Sequence, residues 1–428
     1  MTAPARSIAF DVLCRVSIEG GYSDYACNAP DVARLQARDR NLVTEIVYGT
    51  LRWQGWLDFL LSRVSARGWE EIDPRVGVLL RMSLYQISRL ERIPAYAAVH
   101  EAVEIARARV GHGAGRFVNA ILRRLARERP WQAPGLQDAL PEAARVSLPE
   151  WLWRRWAARF GTAQALAYAR SLLDPPPRYV RLRASGLKRP ETLGALELSD
   201  VVPGAVLERG DAPAGTEAGA PQDEASQLIP HLLGALEGCL LWDACAAPGG
   251  KTAILLALAG ERGRVVASDL HEARARHLRA AAGGAASSAL DVVVADATQA
   301  PFRARFDAAL ADVPCSGLGT LRRNPEIKWR LRPEELPRLA ALQGGILQTV
   351  AGQVRPGGLV LYSTCSTEPE ENDGVVLSFL ATTRGFRLVR PTAPPGIDAW
   401  TDGQGFVRTY PSTRGWDGFF AALIARNS

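Results

Sequence analysis

From about residue 226 the chain alternates short apolar runs with helical segments, and this alternation constrains the fold more than any other feature. CLLWD (239–243), RVVASD (264–269), DVVVAD (291–296), FDAALAD (306–312) and GLVLYS (358–363) read as strands buried on both faces. AILLALAG (253–260) and HEARARHLRAAA (271–282) read as crossover helices. Parallel strands joined by helices predict a doubly wound, Rossmann-like α/β sheet. Ligands of such sheets bind beyond the carboxyl ends of the strands, so function is sought there.

The first of these strands runs into DACAAPGGKT, Asp243 to Thr252. Its small residues and Pro-Gly-Gly turn let backbone approach a ligand closely before a helix begins. Neither GxGxxG nor GxxxxGK[ST] is present, which disfavours a dinucleotide and a P-loop. The second strand ends at Asp269, where an acid suits the two hydroxyls of a ribose. The third ends at Asp296, placed to accept from an adenine amino group. Together these predict a nucleoside cofactor that needs no phosphate site, pointing to S-adenosyl-L-methionine. The fourth strand ends in DVPCSGLGT (312–320) and the fifth in LYSTCSTEPEEN (361–372), so Cys315 and Cys365 occupy neighbouring strand ends. A lone buried cysteine is usually inert packing, whereas two at one ligand face suggest chemistry. Thr367 and Glu370 have capping-box spacing, and Pro369 suits a first turn. The reading therefore starts a helix at STEPEE and puts Cys365 at its positive end, where a thiol's pKa falls.

DACAAPGGKT, ADVPCSGLGTLRRNPEIKW, LYSTCSTEPEEN and GWDGFF (415–420) resemble the Sun/Fmu, or RsmB/NOP, family of RNA cytosine-5 methyltransferases. QDEASQL (222–228) is similar to that family's lead-in to its catalytic domain, and GTLRW, LLRMSLYQI and FVNAILRRLARE to the NusB-like domain of its bacterial branch. The resemblance implies methylation of cytosine carbon 5 in 16S ribosomal RNA. Cys365 would be the nucleophile at carbon 6, Cys315 would help remove the carbon 5 proton, Asp312 would bind the cytosine edge, and Lys251 would place the base. The sequence by itself does not choose between the cysteines. The resemblance lays the cofactor on Cys245, Ala246, Ala247, Pro248, Gly249, Gly250 and Lys251, against Asp269, Asp296 and Asp312. Trp242, Val313 and Trp416 depart from the expected pattern.

The remainder of the chain supplies its organisation. Residues 1–135 read as a NusB-like all-helical RNA-binding domain, 136–225 as a linker with a small basic α/β module, and 226–428 as the methyltransferase domain. Val99, Val103, Ala106 and Val110 recur at helical spacing, as do Phe117, Ile121 and Leu125; Pro94 interrupts that pattern, and Gly111, Gly113 and Gly115 separate two helices. Trp151, Trp153 and Trp156 read as core, and 208–222 as a loop. The arginines at 116, 123, 124, 127 and 129 and the cationic LRRNPEIKWRLR (321–332) are candidate RNA contacts. Of 51 basic residues only Lys188, Lys251 and Lys328 are lysine, which suggests positions needing a compact ammonium. Six cysteines without a CxxC pair argue against a zinc knuckle and a disulfide framework, so no metal is expected and a reducing cytoplasm is. No apolar run reaches the roughly 18 residues of a membrane span. The expected partner is small-subunit ribosomal RNA, with no DNA and no membrane, and the expected state a monomer. Competing readings are the same reaction on transfer RNA and a catalytically inert RNA-binding assembly factor.

Overall fold

The computed structural model describes residues 5–64, 68, 71–182, 196–208, 219–281, 288–299, 302–303 and 305–428. They fall into two compact units, one of Met1–Pro175 with Leu321–Leu331, the other of Pro176–Thr320 with Arg332–Ser428.

The first unit is helical, with long helices at Ala5–Ser17, Ala37–Ser62, Pro74–Arg89, Ala95–Arg109 and His112–Glu128. Heptad-like apolar spacing builds its core: Val118, Ile121, Leu122 and Leu125 of the last helix are buried while Arg116, Arg123, Arg124 and Arg127 stay exposed. Gly111 (φ +140°) precedes that helix, but Gly113 and Gly115 lie inside it, so one glycine and not three makes the break. The helices Glu150–Phe160 and Thr162–Ser171 bury Trp153 and Trp156 and leave Trp151 half-buried. The boundary read at residue 135 thus falls inside this unit, because the helical packing continues to Pro175.

The cationic stretch read as an RNA contact is largely interior. Lys328 is 1% exposed, its ammonium donating to the Arg52 carbonyl at 3.0 Å. The Trp329 indole donates to the Leu51 carbonyl at 2.8 Å, and Glu326 accepts from the Ser23 amide and hydroxyl at 3.0 and 2.9 Å. Arg322 is buried too, its carbonyl accepting from the Arg52 guanidinium. These partners lie some 270 residues or more away along the chain, which local sequence cannot reveal. Burial, with Arg52 beside it, holds the Lys328 ammonium well below its ordinary pKa of 10.5. The unfolded chain then binds a proton that the folded chain resists, so stability falls as pH drops from 10.5 toward the depressed value. Lys328→Met should therefore gain on the wild type as pH is lowered from 10 to 7 in urea unfolding; parallel curves would contradict this.

The second unit contains two sheets. Strands β1 (Arg178–Leu182), β2 (Leu196–Leu198), β3 (Ala205–Glu208) and β4 (Gly219–Pro221) form an antiparallel sheet in the order β2-β3-β1-β4. Of the predicted loop 208–222, Glu208 and 219–221 are strand residues, and 209–218 lie outside the described residues, as do Lys188 and Ala282.

The larger sheet holds β5 (Leu240–Asp243), β6 (Arg264–Asp269), β7 (Leu290–Val294), β8 (Phe306–Asp312), β9 (Val354–Thr364), β10 (Phe386–Val389), β11 (Val407–Arg408) and β12 (Phe420–Arg426). Its order is β10-β12-β9-β8-β5-β6-β7, with β11 added to β12; β5 to β9 pair in parallel and β12 runs antiparallel to β9. Connections from β5 run first to β6 and β7, then back past β5 to β8. The switch point therefore lies between β5 and β8, where a doubly wound sheet opens a crevice. The register sets Asp312 opposite Ser363, and Asp243 opposite both Leu310 and Ala267. Trp242 is fully buried, stacks on Phe306 and donates to the Ser268 hydroxyl at 2.9 Å. Trp416 packs on Trp400 and donates to Glu224 at 2.5 Å. Both tryptophans that depart from the family pattern are thus satisfied core residues.

Candidate active site

The turn after β5 bends tightly. Ala246 donates its amide to the Ser268 carbonyl at 2.9 Å, Gly249 donates to Ala246 at 2.8 Å, and Gly249 adopts φ +105°. Helix Gly250–Ala259 starts there. A Cβ at Gly250 would meet the end of the Gln222 side chain at 3.0 Å, so the turn packs closely against it. A cavity opens at this turn, bordered by Asp243, Cys245 to Lys251 and Asp312, with Arg181, Gln222 and Ser226 across from them.

Charge in the crevice is organised around Asp312. One of its carboxylate oxygens accepts from the Lys251 ammonium at 2.7 Å, the other from the Ser363 hydroxyl at 2.7 Å. Burial works against the Lys251 cation, but the charge and hydrogen bond of Asp312 prevail and raise its pKa, with Cys365 adding to the effect. Lys251 also lies 5.0 Å from the centre of the Phe419 ring. Asp243 accepts from Thr252 at 2.7 Å through one oxygen, while the other is buried without a hydrogen-bond partner. Burial raises its pKa to about 7, the Thr252 hydrogen bond opposing this and the charge of Asp312 adding to it.

The two predicted cysteines come together. Their sulfurs are 3.3 Å apart, each at the end of its own strand, β8 or β9. The hydrogen bond to Cys365 is the largest cause raising Cys315 well above the ordinary thiol range, followed by burial, the charge of Cys365 and that of Glu371. Either sulfur can donate in this contact. Cys245 is raised as well, by burial and then by the charge of Asp243. Asp269 and Asp296 do not border the same cavity. Asp269 accepts from the His271 amide at 2.9 Å. Asp296 accepts from the Thr298 amide and hydroxyl at 2.8 and 2.7 Å, which holds its carboxyl below the usual range.

The predicted helix start at STEPEE is corrected by the structure. The helix is Asp373–Thr382, preceded by turns in which Asn372 and Gly374 donate to the Pro369 carbonyl. Cys365 is eight residues upstream of it in the chain, but its neighbours hold the Asn372 cap: the Thr364 hydroxyl donates to the Asn372 side chain at 2.6 Å, and that side chain donates to the Ser366 carbonyl at 2.9 Å. Glu371 is turned inward instead, onto residues next to both cysteines.

Residues 231–425 match the family described as "16S rRNA methyltransferase RsmB/F", and residues 3–127 match the NusB family. A protein of Bacillus subtilis named "Probable ribosomal RNA small subunit methyltransferase B" is 33% identical, covering 98% of each chain. The chain belongs to the RsmB/F methyltransferase family. Another relative, "Ribosomal RNA small subunit methyltransferase B" of Thermus thermophilus, is 35% identical over 91% of this chain and 89% of its own. The crystal structure of PH0851 shares the fold along 99% of both chains, with a TM-score of 0.82 at 24% identity. NSun6 from Pyrococcus horikoshii, solved with SFG, shares it over 65% of this chain and 98% of its own, with a TM-score of 0.57 at 19% identity.

The methyl donor of this RsmB/F chain is S-adenosyl-L-methionine. The observed residues fit it: a tight turn of mostly small residues lining the cavity, and a buried Asp243 carboxylate oxygen with no hydrogen-bond partner among the described residues. Reading the sequence missed Asp243, although an acid ending the first strand was in view. It also missed Gln222 and Arg181 as residues bordering this cavity, and Glu371, which the helix misreading hid.

Proposed function

We propose that this chain methylates carbon 5 of a cytosine in 16S ribosomal RNA through a covalent adduct between Cys365 and carbon 6. The observation that carries this reading is the pair of sulfurs 3.3 Å apart beside the Lys251–Asp312 ion pair. Carbon 5 of cytosine is a weak nucleophile. Addition of the Cys365 thiolate to carbon 6 breaks the aromatic ring and makes carbon 5 enamine-like. Bound S-adenosyl-L-methionine, held on the turn Cys245–Lys251 with Asp243, Asp269 and Asp296, supplies the electrophilic methyl group. Asp312 keeps lone pairs for the cytosine edge, and the Lys251 cation offsets negative charge developing on the base. The Cys315 sulfur lies 3.3 Å from that of Cys365. In its thiolate form Cys315 helps take the carbon 5 proton, whose bonding electrons rebuild the C5–C6 double bond as the bond to Cys365 breaks.

The names of its relatives support ribosomal RNA as substrate, and the exposed arginines of helix His112–Glu128 offer the phosphate-binding charge it requires. Bisulfite sequencing of ribosomal and transfer RNA from cells with and without the protein tests the assignment. One 16S cytosine should lose its methyl group on deletion. Loss confined to a transfer RNA would reassign the substrate, and no change in either would leave an RNA-binding role without catalysis.

A further inference from the structure

The buried side chain of Glu371 touches neither the cofactor cavity nor either sulfur, yet it is the hub between the two cysteine loops. One oxygen accepts from the Ser316 amide at 2.8 Å and from the Gln343 amide group at 2.9 Å. The other accepts from the Ser316 and Ser366 hydroxyls, both at 2.5 Å. Ser316 follows Cys315 and Ser366 follows Cys365, and their hydroxyls are 3.1 Å apart. Gln343 also donates to the Pro314 carbonyl at 3.0 Å, on the other side of Cys315. The Glu371 backbone carbonyl accepts from the Tyr362 hydroxyl at 2.5 Å, fixing the main chain at Glu371 to β9.

Glu371 is 0% exposed. Burying a carboxylate is costly, and hydrogen bonds to its charge are what offset the loss of water. Any shift of one loop relative to the other would break bonds to this carboxylate. We propose that Glu371 is a positioning residue for the reaction: by bridging Ser316 and Ser366 it locks the loops after the two cysteines together and sets the distance between their sulfurs. The catalytic consequence rests on the proposed cysteine chemistry, whereas the control of spacing does not. The two therefore call for separate measurements.

The spacing is read in the resting protein by capture with phenylarsine oxide, which bonds one arsenic to two neighbouring thiols and releases water. Cys315→Ala identifies the portion of capture that belongs to this pair. Glu371→Ala should slow that portion about tenfold or more, with Glu371→Gln, which keeps the shape and hydrogen-bonding capacity, restoring most of it. If Glu371→Ala does not fold, the Ser316→Ala, Ser366→Ala double variant cuts the two hydroxyl bonds and should show the same loss. S-adenosyl-L-methionine affinity, read by calorimetry, should stay within about twofold and report an intact cavity. Wild-type capture in any folded variant that lacks the bridge would overturn the proposal. In the methyl transfer assay Glu371→Ala should lower kcat about 100-fold with little change in KM for RNA, since a displacement near 1 Å is enough for such a loss. Slowed capture with normal kcat would keep the spacing role and overturn the catalytic one. If wild-type protein transfers no methyl group, the cysteine mechanism fails while the capture result stands.

Discussion

Cys315→Ala should trap the protein on its RNA, and Cys365→Ala should give neither trapped complex nor product. With Cys315 removed, attack by Cys365 and methylation of carbon 5 still proceed, but release loses the group that helps take the carbon 5 proton. A denaturing gel should then show an RNA-linked band in near-stoichiometric yield. Without Cys365 there is no sulfur to open the ring, and turnover should fall by at least about 10⁴-fold, the scale on which enzymes respond to loss of a nucleophile. The asymmetry follows from the roles proposed for the 3.3 Å pair, attack for Cys365 and release for Cys315. The opposite pattern, a trapped complex in Cys365→Ala, would exchange the two roles.

Gly319→Ala should be the most damaging single methyl group in the sheet unit. A Cβ there would lie 1.8 Å from the Gly418 carbonyl oxygen and 2.9 Å from that of Cys365. Both are backbone atoms, so no side chain can swing aside. At this crossing Gly319 donates to the Cys365 carbonyl at 2.9 Å and Gly418 donates to Gly319 at 2.7 Å, joining the loop after Cys315, the end of β9 and the approach to β12. Overpacking costs about 1–3 kcal/mol and occasionally more, and a clash between backbones belongs at the upper end. Urea unfolding should show a loss of about 3 kcal/mol, accompanied by loss of adduct formation because both cysteine loops move. Gly344→Ala is the control: it lies within helix Glu335–Gln353 with open space around its Cβ, and the exchange should stabilise by about 0.5–1 kcal/mol. Equal stability of Gly319→Ala and wild type would contradict the crossing described here.

The parts of this fold that were legible in the sequence are those fixed by short-range pattern. Apolar runs ending in Asp243, Asp269 and Asp312 gave strands whose ends converge, because side-chain period and crossover handedness leave few alternatives. The pairing of Cys315 with Cys365 followed, since neighbouring parallel strands bring their ends together. The rarity of lysine was also informative: Lys251 and Lys328 are both largely buried and hydrogen-bonded. Yet only the first is at the crevice. Lys328, Glu326 and Arg322 looked like an exposed basic loop because their hydrogen-bond partners belong to helices hundreds of residues earlier. The helix start at STEPEE was misread for a related reason. The capping-box spacing of Thr367 and Glu370 describes what a segment prefers alone, whereas two serine hydroxyls and a glutamine offer the neighbouring Glu371 carboxylate more than a helix terminus does.

The central claim is that the sulfur of residue 365 bonds to a cytosine. It is tested most directly by incubating the wild-type protein and S-adenosyl-L-methionine with 16S RNA transcribed with 5-fluorocytidine, whose carbon 5 carries no proton to remove. After nuclease and protease digestion, mass spectrometry should find the modified nucleotide on the peptide containing Cys365. A nucleotide on the Cys315 peptide, or no linked peptide from an RNA that is methylated when unsubstituted, would contradict the account.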